Sequence, residues 1–88
     1  MSASNWSSGT IKYFNPARKT GTIISYDGDE ILFHISDFEQ YRDIAESEDA
    51  AEMEKLGREL EGQMVFFRLD RTKLGPQARE ITFLATKA

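Results

Sequence analysis

The chain contains no cysteine, which excludes disulfides and thiolate metal sites. That absence fits a reducing compartment. The single histidine has no companion ligand set or nucleophile–base pair, and no glycine loop of the phosphate-cradling kind is present. A catalytic centre, a metal and a cofactor are therefore not expected. No apolar run approaches the ~20 residues that span a bilayer. The opening "MSASNWSSG" lacks the basic region and apolar run of a secretory leader. The expectation is a soluble, cytoplasmic protein with no membrane partner, monomeric or a weak dimer.

With 88 residues, the chain is sized for one small domain. Such a domain buries only about 60–65% of its unfolded surface, which favours a compact barrel or sheet. The net charge is −4, but it is unevenly spread. From Asp37 to Glu61 ten acids face three bases, a net of −7. The remainder carries eight bases and five acids, a net of +3. A mildly basic body compatible with phosphate thus carries one acidic segment.

Residues 1–8 are small and polar and read as a flexible tail, with Trp6 as the residue that would pin it. Gly9 to Asn15, Thr20 to Tyr26 and Ile31 to Ile35 have the β-branched and aromatic content of strands. Between the first two, "NPARK" forms a loop. Asp27-Gly28 is a hairpin turn signal, because Gly accepts positive φ. In the third strand Ile31, Phe33 and Ile35 share one face, and Leu32 and His34 share the other. Gln63 to Leu69 and Ala78 to Leu84 supply two further strands, separated by the Gly-Pro break in "DRTKLGPQ".

Residues of about 37–60 differ in character. Ser36 is an N-cap candidate followed by the acids Asp37 and Glu39. From about Glu46 to Leu60 the composition favours a helix. Ala50, Met53, Leu56 and Leu60 recur at helical spacing as a thin apolar stripe. Gly57 weakens such a helix by about 1 kcal/mol relative to Ala. The expected fold class is all-β, a five-stranded antiparallel barrel with a helical insertion between strands three and four.

"GTIKYFN" (9–15), "RKTGTI" (18–23), "ILFHI" (31–35), "EGQMVFF" (61–67) and "KLGPQAREITFL" (73–84) together resemble the bacterial cold-shock domain. This resemblance covers about three quarters of the chain. It implies an OB-fold barrel over 9–85 that binds single-stranded RNA or DNA. It also implies that Thr20, Thr22, Leu32 and Ile35 stand where the family carries base-stacking Phe residues in its two ribonucleoprotein motifs. Gly21 keeps the family's glycine, while Lys19 replaces another. Tyr13 stands where the family usually has Trp.

The candidate nucleic-acid-binding residues are Lys12, Tyr13, Phe14, Asn15, Arg18, Lys19, Thr20, Thr22, Leu32 and His34. Tyr13 is the best remaining stacking platform; the alternative is packing in the barrel. Phe14 has the same two readings, because strand alternation also permits the core. His34 reads as a base contact or as a structural histidine. Lys12, Arg18 and Lys19 form a basic rim suited to phosphate, with Lys73 and Arg79 as extensions. Asn15 offers an amide to a base or closes the loop before Pro16. Phe38 and Tyr41 read first as anchors for the insertion and second as base contacts. Base–aromatic stacking is worth ~1–3 kcal/mol per base, so losing four platforms predicts weak, salt-sensitive binding. RNA chaperoning and regulation of gene expression are the corresponding roles. The alternative is an OB-fold protein-interaction module, with a protein partner at the acidic insertion or the barrel face.

Overall fold

The computed structural model describes residues 5–84. Five strands, β1 (Trp6–Asn15), β2 (Thr20–Ser25), β3 (Glu30–His34), β4 (Met64–Thr72) and β5 (Gly75–Phe83), form a closed barrel in the order β1-β2-β3-β5-β4. Three short 3-10 turns, Ile35–Asp37, Glu39–Tyr41 and Ile44–Glu46, lead from β3 to one helix, α1 (Ala50–Leu60). The expected insertion between the third and fourth strands is therefore present. Four of the strand pairs are antiparallel. The pair that closes the barrel is parallel, with Leu32 of β3 against Gln77 of β5. This corrects the all-antiparallel expectation. Parallel neighbours need a long connection, and here it runs from Ile35 through α1 and β4 to Leu74.

β1 begins three residues earlier than the sequence pattern indicates. Trp6, Ser7 and Ser8 pair with Arg68, Phe67 and Phe66 of β4, so the end of the expected tail is a strand. Two serines carry little strand propensity of their own, and the β4 ladder supplies the reason for the conformation. Residues 1–4 of that tail lie outside the described residues. β4 and β5 are also longer than expected, because Thr72 and Gly75 pair next to a tight turn at Lys73 and Leu74. The Asp27-Gly28 turn is present, with Gly28 at φ 97° and its N–H donating to the Ser25 carbonyl at 2.8 Å.

A bulge in β1 sets the phase of the barrel wall. Ile11 pairs with Ile23 and Tyr13 with Thr22, leaving Lys12 as the extra residue. Ile11 and Phe14 are both buried, while Lys12 and Tyr13 both face solvent. One extra residue thus reverses the alternation that an unbroken strand would impose. Gly21 lies opposite Phe14 and Phe33. A Cβ there would sit 2.3 Å from the Tyr13 carbonyl oxygen and 2.6 Å from the Phe33 ring, so the sheet closes only over a glycine.

α1 starts at Ala50, later than the composition suggests, because Asp49 caps it. The Asp49 carboxylate accepts from the Ala51 and Glu52 N–H groups at 3.0 and 3.2 Å. Eleven residues are marginal as an isolated helix, so burial of Met53, Leu56 and Leu60 holds it in place. Each of these side chains contributes about 1.5–3 kcal/mol before ordering costs. Ala50 is exposed and Gly57 takes its place in the buried stripe. The helix crosses the C-terminal half of β1, where the Glu61 carboxylate accepts from the Phe14 N–H at 3.1 Å. Ahead of the helix, the fully buried Phe38 packs on Phe33, Tyr41 and Phe83 at ring distances of 5.3–5.7 Å. Phe38 and Tyr41 are anchors of the insertion.

Candidate nucleic-acid interface

The outer face of β1, β2 and β3 carries two rows of side chains. Tyr13, Thr22 and Leu32 are cross-strand partners, and Gln77 of β5 continues the row beyond Leu32. Tyr13 is 50% exposed and Leu32 45%. The second row is Asn15, Thr20 and His34. Pleating places all of these outward, while Gly21, Phe33 and Ile31 point into the barrel. The face therefore offers one phenol ring, one aliphatic side chain and short hydroxyls between them.

Two residues that the sequence tied to base contact lie inside. Phe14 is 2% exposed and stacks on Phe33 at 6.2 Å; the β1 bulge turns it inward. Ile35, aligned with a family stacking residue, is fully buried. It follows the end of β3 in the phase of Ile31 and Phe33, so it presents no face to a base. Thr20 and Thr22 are half-buried on the outer surface.

The basic rim is mostly engaged. Lys12 Nζ lies 3.4 Å from the Glu30 carboxylate, with both side chains more than half exposed. Lys19 is turned away from its expected role. Its Nζ donates to the Ala45 and Ser47 carbonyls at 2.8 and 2.5 Å, and its backbone has φ 62°. Arg18 is exposed and forms no ion pair among the described residues. The Asn15 amide oxygen accepts from the Ala17 and Arg18 N–H groups at 3.0 and 3.3 Å. That arrangement is the loop-closing role, and it takes up the group an adenine or cytosine amine would meet.

His34 is half-buried and structurally occupied on one side. Its Nδ1 accepts from the Ser36 N–H at 3.0 Å, and its own N–H donates to Asp37 at 3.0 Å. With Nδ1 accepting, the ring proton sits on Nε2 as a donor. Asp37 in turn accepts from Arg79 at 3.3 Å, and Arg79 Nε donates to Asp70 at 3.2 Å. The hydrogen bond to Asp70 raises the Arg79 guanidinium above its usual pKa; burial opposes this and Asp37 adds to it. Arg79 is thus a cross-brace between β5, β4 and the turn after β3, and does not extend a rim. Lys73 is exposed at the β4–β5 turn.

Gln77 is the member of the face that the sequence does not reveal. It is half-buried beside Leu32 through the parallel β3–β5 contact. No local periodicity signals that neighbour, because forty-odd residues separate the two in the chain. Among the described residues, no helix is long and apolar enough to cross a membrane. No protein-family model matches the chain, and no curated protein matches it.

Proposed function

We propose that this chain is a divergent cold-shock-like OB-fold protein that binds single-stranded RNA or DNA weakly and with little base preference. The observation that carries this reading is the outward-facing row Tyr13, Thr22, Leu32 and Gln77, with Tyr13 and Leu32 exposed, on a closed five-stranded barrel. A base stacks on the Tyr13 ring, a second lies on Leu32, and the Thr hydroxyls and Gln77 amide bond to whatever edges arrive. Arg18 contacts phosphate directly. Lys12 joins it readily, since an exposed pair such as Lys12–Glu30 is worth only about 0–1 kcal/mol. Lys19 contributes little, because its two carbonyl bonds must first break. Binding is therefore weak, and the part carried by charge falls with salt. Low affinity and low specificity suit a role in keeping RNA strands open, or in regulating expression through them, and we place that role in the cytoplasm.

Titration of the isotope-labelled chain with a short single-stranded oligonucleotide at low and moderate salt tests this. Saturable amide shifts confined to β1, β2, β3, the loop between β1 and β2, and the neighbourhood of Gln77 are expected, weakening as salt rises. Silence at low salt and high strand excess ends the nucleic-acid reading. It would favour the second one, a protein-interaction module. The observation behind that alternative is the withdrawal of Lys19 from the face to hold the acidic segment.

A further inference from the structure

A second exposed aromatic surface lies on the other half of β1. Trp6 and Phe66 stack with their ring planes 3° apart and centroids 5.2 Å apart. Trp6 remains 45% exposed, Phe66 39% and Met64, next along that face of β4, 58%. A groove of about 540 Å³ runs beside the pair, floored by Ile81 and Thr82 of β5. Isolated apolar side chains at a surface need no explanation, but a contiguous aromatic patch with a polar rim marks an interaction surface. This surface is separate from the candidate nucleic-acid face, which uses the C-terminal half of β1.

The rim identifies the occupant. Glu39 and Arg42 stand on the insertion side of the groove. Glu80 lies on the other side, with Arg68 Nε donating to it at 3.2 Å. Two acids and two bases thus surround an apolar centre. A phosphate backbone laid there meets as many carboxylates as guanidinium groups, so the rim gives it no net attraction. A two-fold contact can instead set the acids of one copy against the bases of the other, the self-complementarity that an isologous interface needs. A central aromatic pair within a charged rim also has the arrangement of an interface hot spot. We propose that the Trp6–Phe66 surface is a self-association interface that takes a second copy of this chain across a two-fold axis. One aromatic pair and a methionine fall well short of the ~800 Å² per partner of a standard stable interface, so the dimer is weak, half-formed at about 10–100 µM.

Trp6 is the only tryptophan, so all tryptophan emission comes from this surface. Sedimentation velocity of the full chain from about 2 µM to about 1 mM, with emission read on the same samples, is the test. A rise in sedimentation coefficient accompanied by a blue shift of Trp6 is expected. A coefficient that stays at the monomer value, or rises with no change in emission, overturns the proposal. Two charge variants then test the pairing. Glu39→Lys with Glu80→Lys, and Arg42→Glu with Arg68→Glu, should each sediment as monomers, and an equimolar mixture should restore the dimer. Association of each alone as strongly as the natural chain rejects the two-fold pairing. So does saturable quenching of Trp6 by a single-stranded oligonucleotide in a chain that stays monomeric, which would assign this face to nucleic acid. The sedimentation result does not depend on whether the β1–β2–β3 face binds strands.

Discussion

Lys19 Nζ donates to the Ala45 carbonyl at 2.8 Å, across 26 residues of chain. This bond, with its companion to Ser47, ties the loop between β1 and β2 to the last 3-10 turn before α1. Lys19 sits at φ 62°, a backbone region that non-glycine residues occupy at a cost of order 1–3 kcal/mol. The side-chain bonds are what offset that cost.

Replacement of Lys19 separates the two effects. Lys19→Ala keeps the strained backbone and loses both charged hydrogen bonds, and should lower unfolding stability by about 1.5–3 kcal/mol. Lys19→Gly loses the same bonds but relieves the strain, and should lie about 1 kcal/mol above the Ala variant. Urea unfolding of both chains measures this. Equal stability for the two variants would mean that the backbone at 19 carries no strain.

Gly57 gives a prediction opposite to its helix propensity. A Cβ at this position sits 3.0 Å from Phe14 Cδ2. Phe14 cannot yield easily, because it is buried and stacked against Phe33. Propensity favours Gly57→Ala by about 1 kcal/mol, while overpacking costs about 1–3 kcal/mol. The variant should be less stable by about 1 kcal/mol in thermal or urea unfolding. A more stable variant would show that α1 can move off β1 freely.

Thr20 and Thr22 sit in the two rows of the candidate face, and each has outward-facing cross-strand neighbours. Thr20→Phe and Thr22→Phe should each add a stacking platform worth ~1–3 kcal/mol. Affinity for a short single strand should rise by roughly 5- to 150-fold for each, read by fluorescence anisotropy of a labelled oligonucleotide. Normally folded variants with unchanged affinity would place binding elsewhere.

Tyr41 gives the chain an alkaline limit. Burial raises its phenol above the usual value, the nearby Glu59 charge adds to this, and a hydrogen bond with Gln40 opposes it. With the folded value above the unfolded one, the contribution is complete below about pH 10 and is lost as pH rises through the folded value. Tyr41→Phe should flatten the fall in melting temperature above about pH 10 relative to the natural chain. An unchanged slope would assign the alkaline loss to other groups.

Much of the wall was legible locally. The alternation of Ile31, Phe33 and Ile35 against Leu32 and His34 gives the correct faces of β3. The Asp27-Gly28 turn and the Met53, Leu56 and Leu60 stripe are read equally directly from side-chain period and backbone preference. The candidate site was less legible. Phe14 and Tyr13 are adjacent residues of one strand, and only the bulge at Lys12 decides which one faces out. A second bulge, at Glu80 and Ile81 opposite Phe67, with Glu80 at φ 53°, does the same in β5, where Ala78 and Ile81 are both buried.

The sequence by itself determined five strands, one acidic insertion with a short helix, and the residue types available to an outer face. Those features depend on neighbours a few residues away, where period and propensity act. Tertiary structure alone decided that Lys19 holds Ala45 and Ser47, that Gly57 makes room for Phe14, that Gln77 lies beside Leu32, and that Trp6 stacks on Phe66. Each of these depends on the register between strands or on the docking of the insertion. Register and docking are set by burial summed over the whole barrel, and no short window of sequence contains that sum.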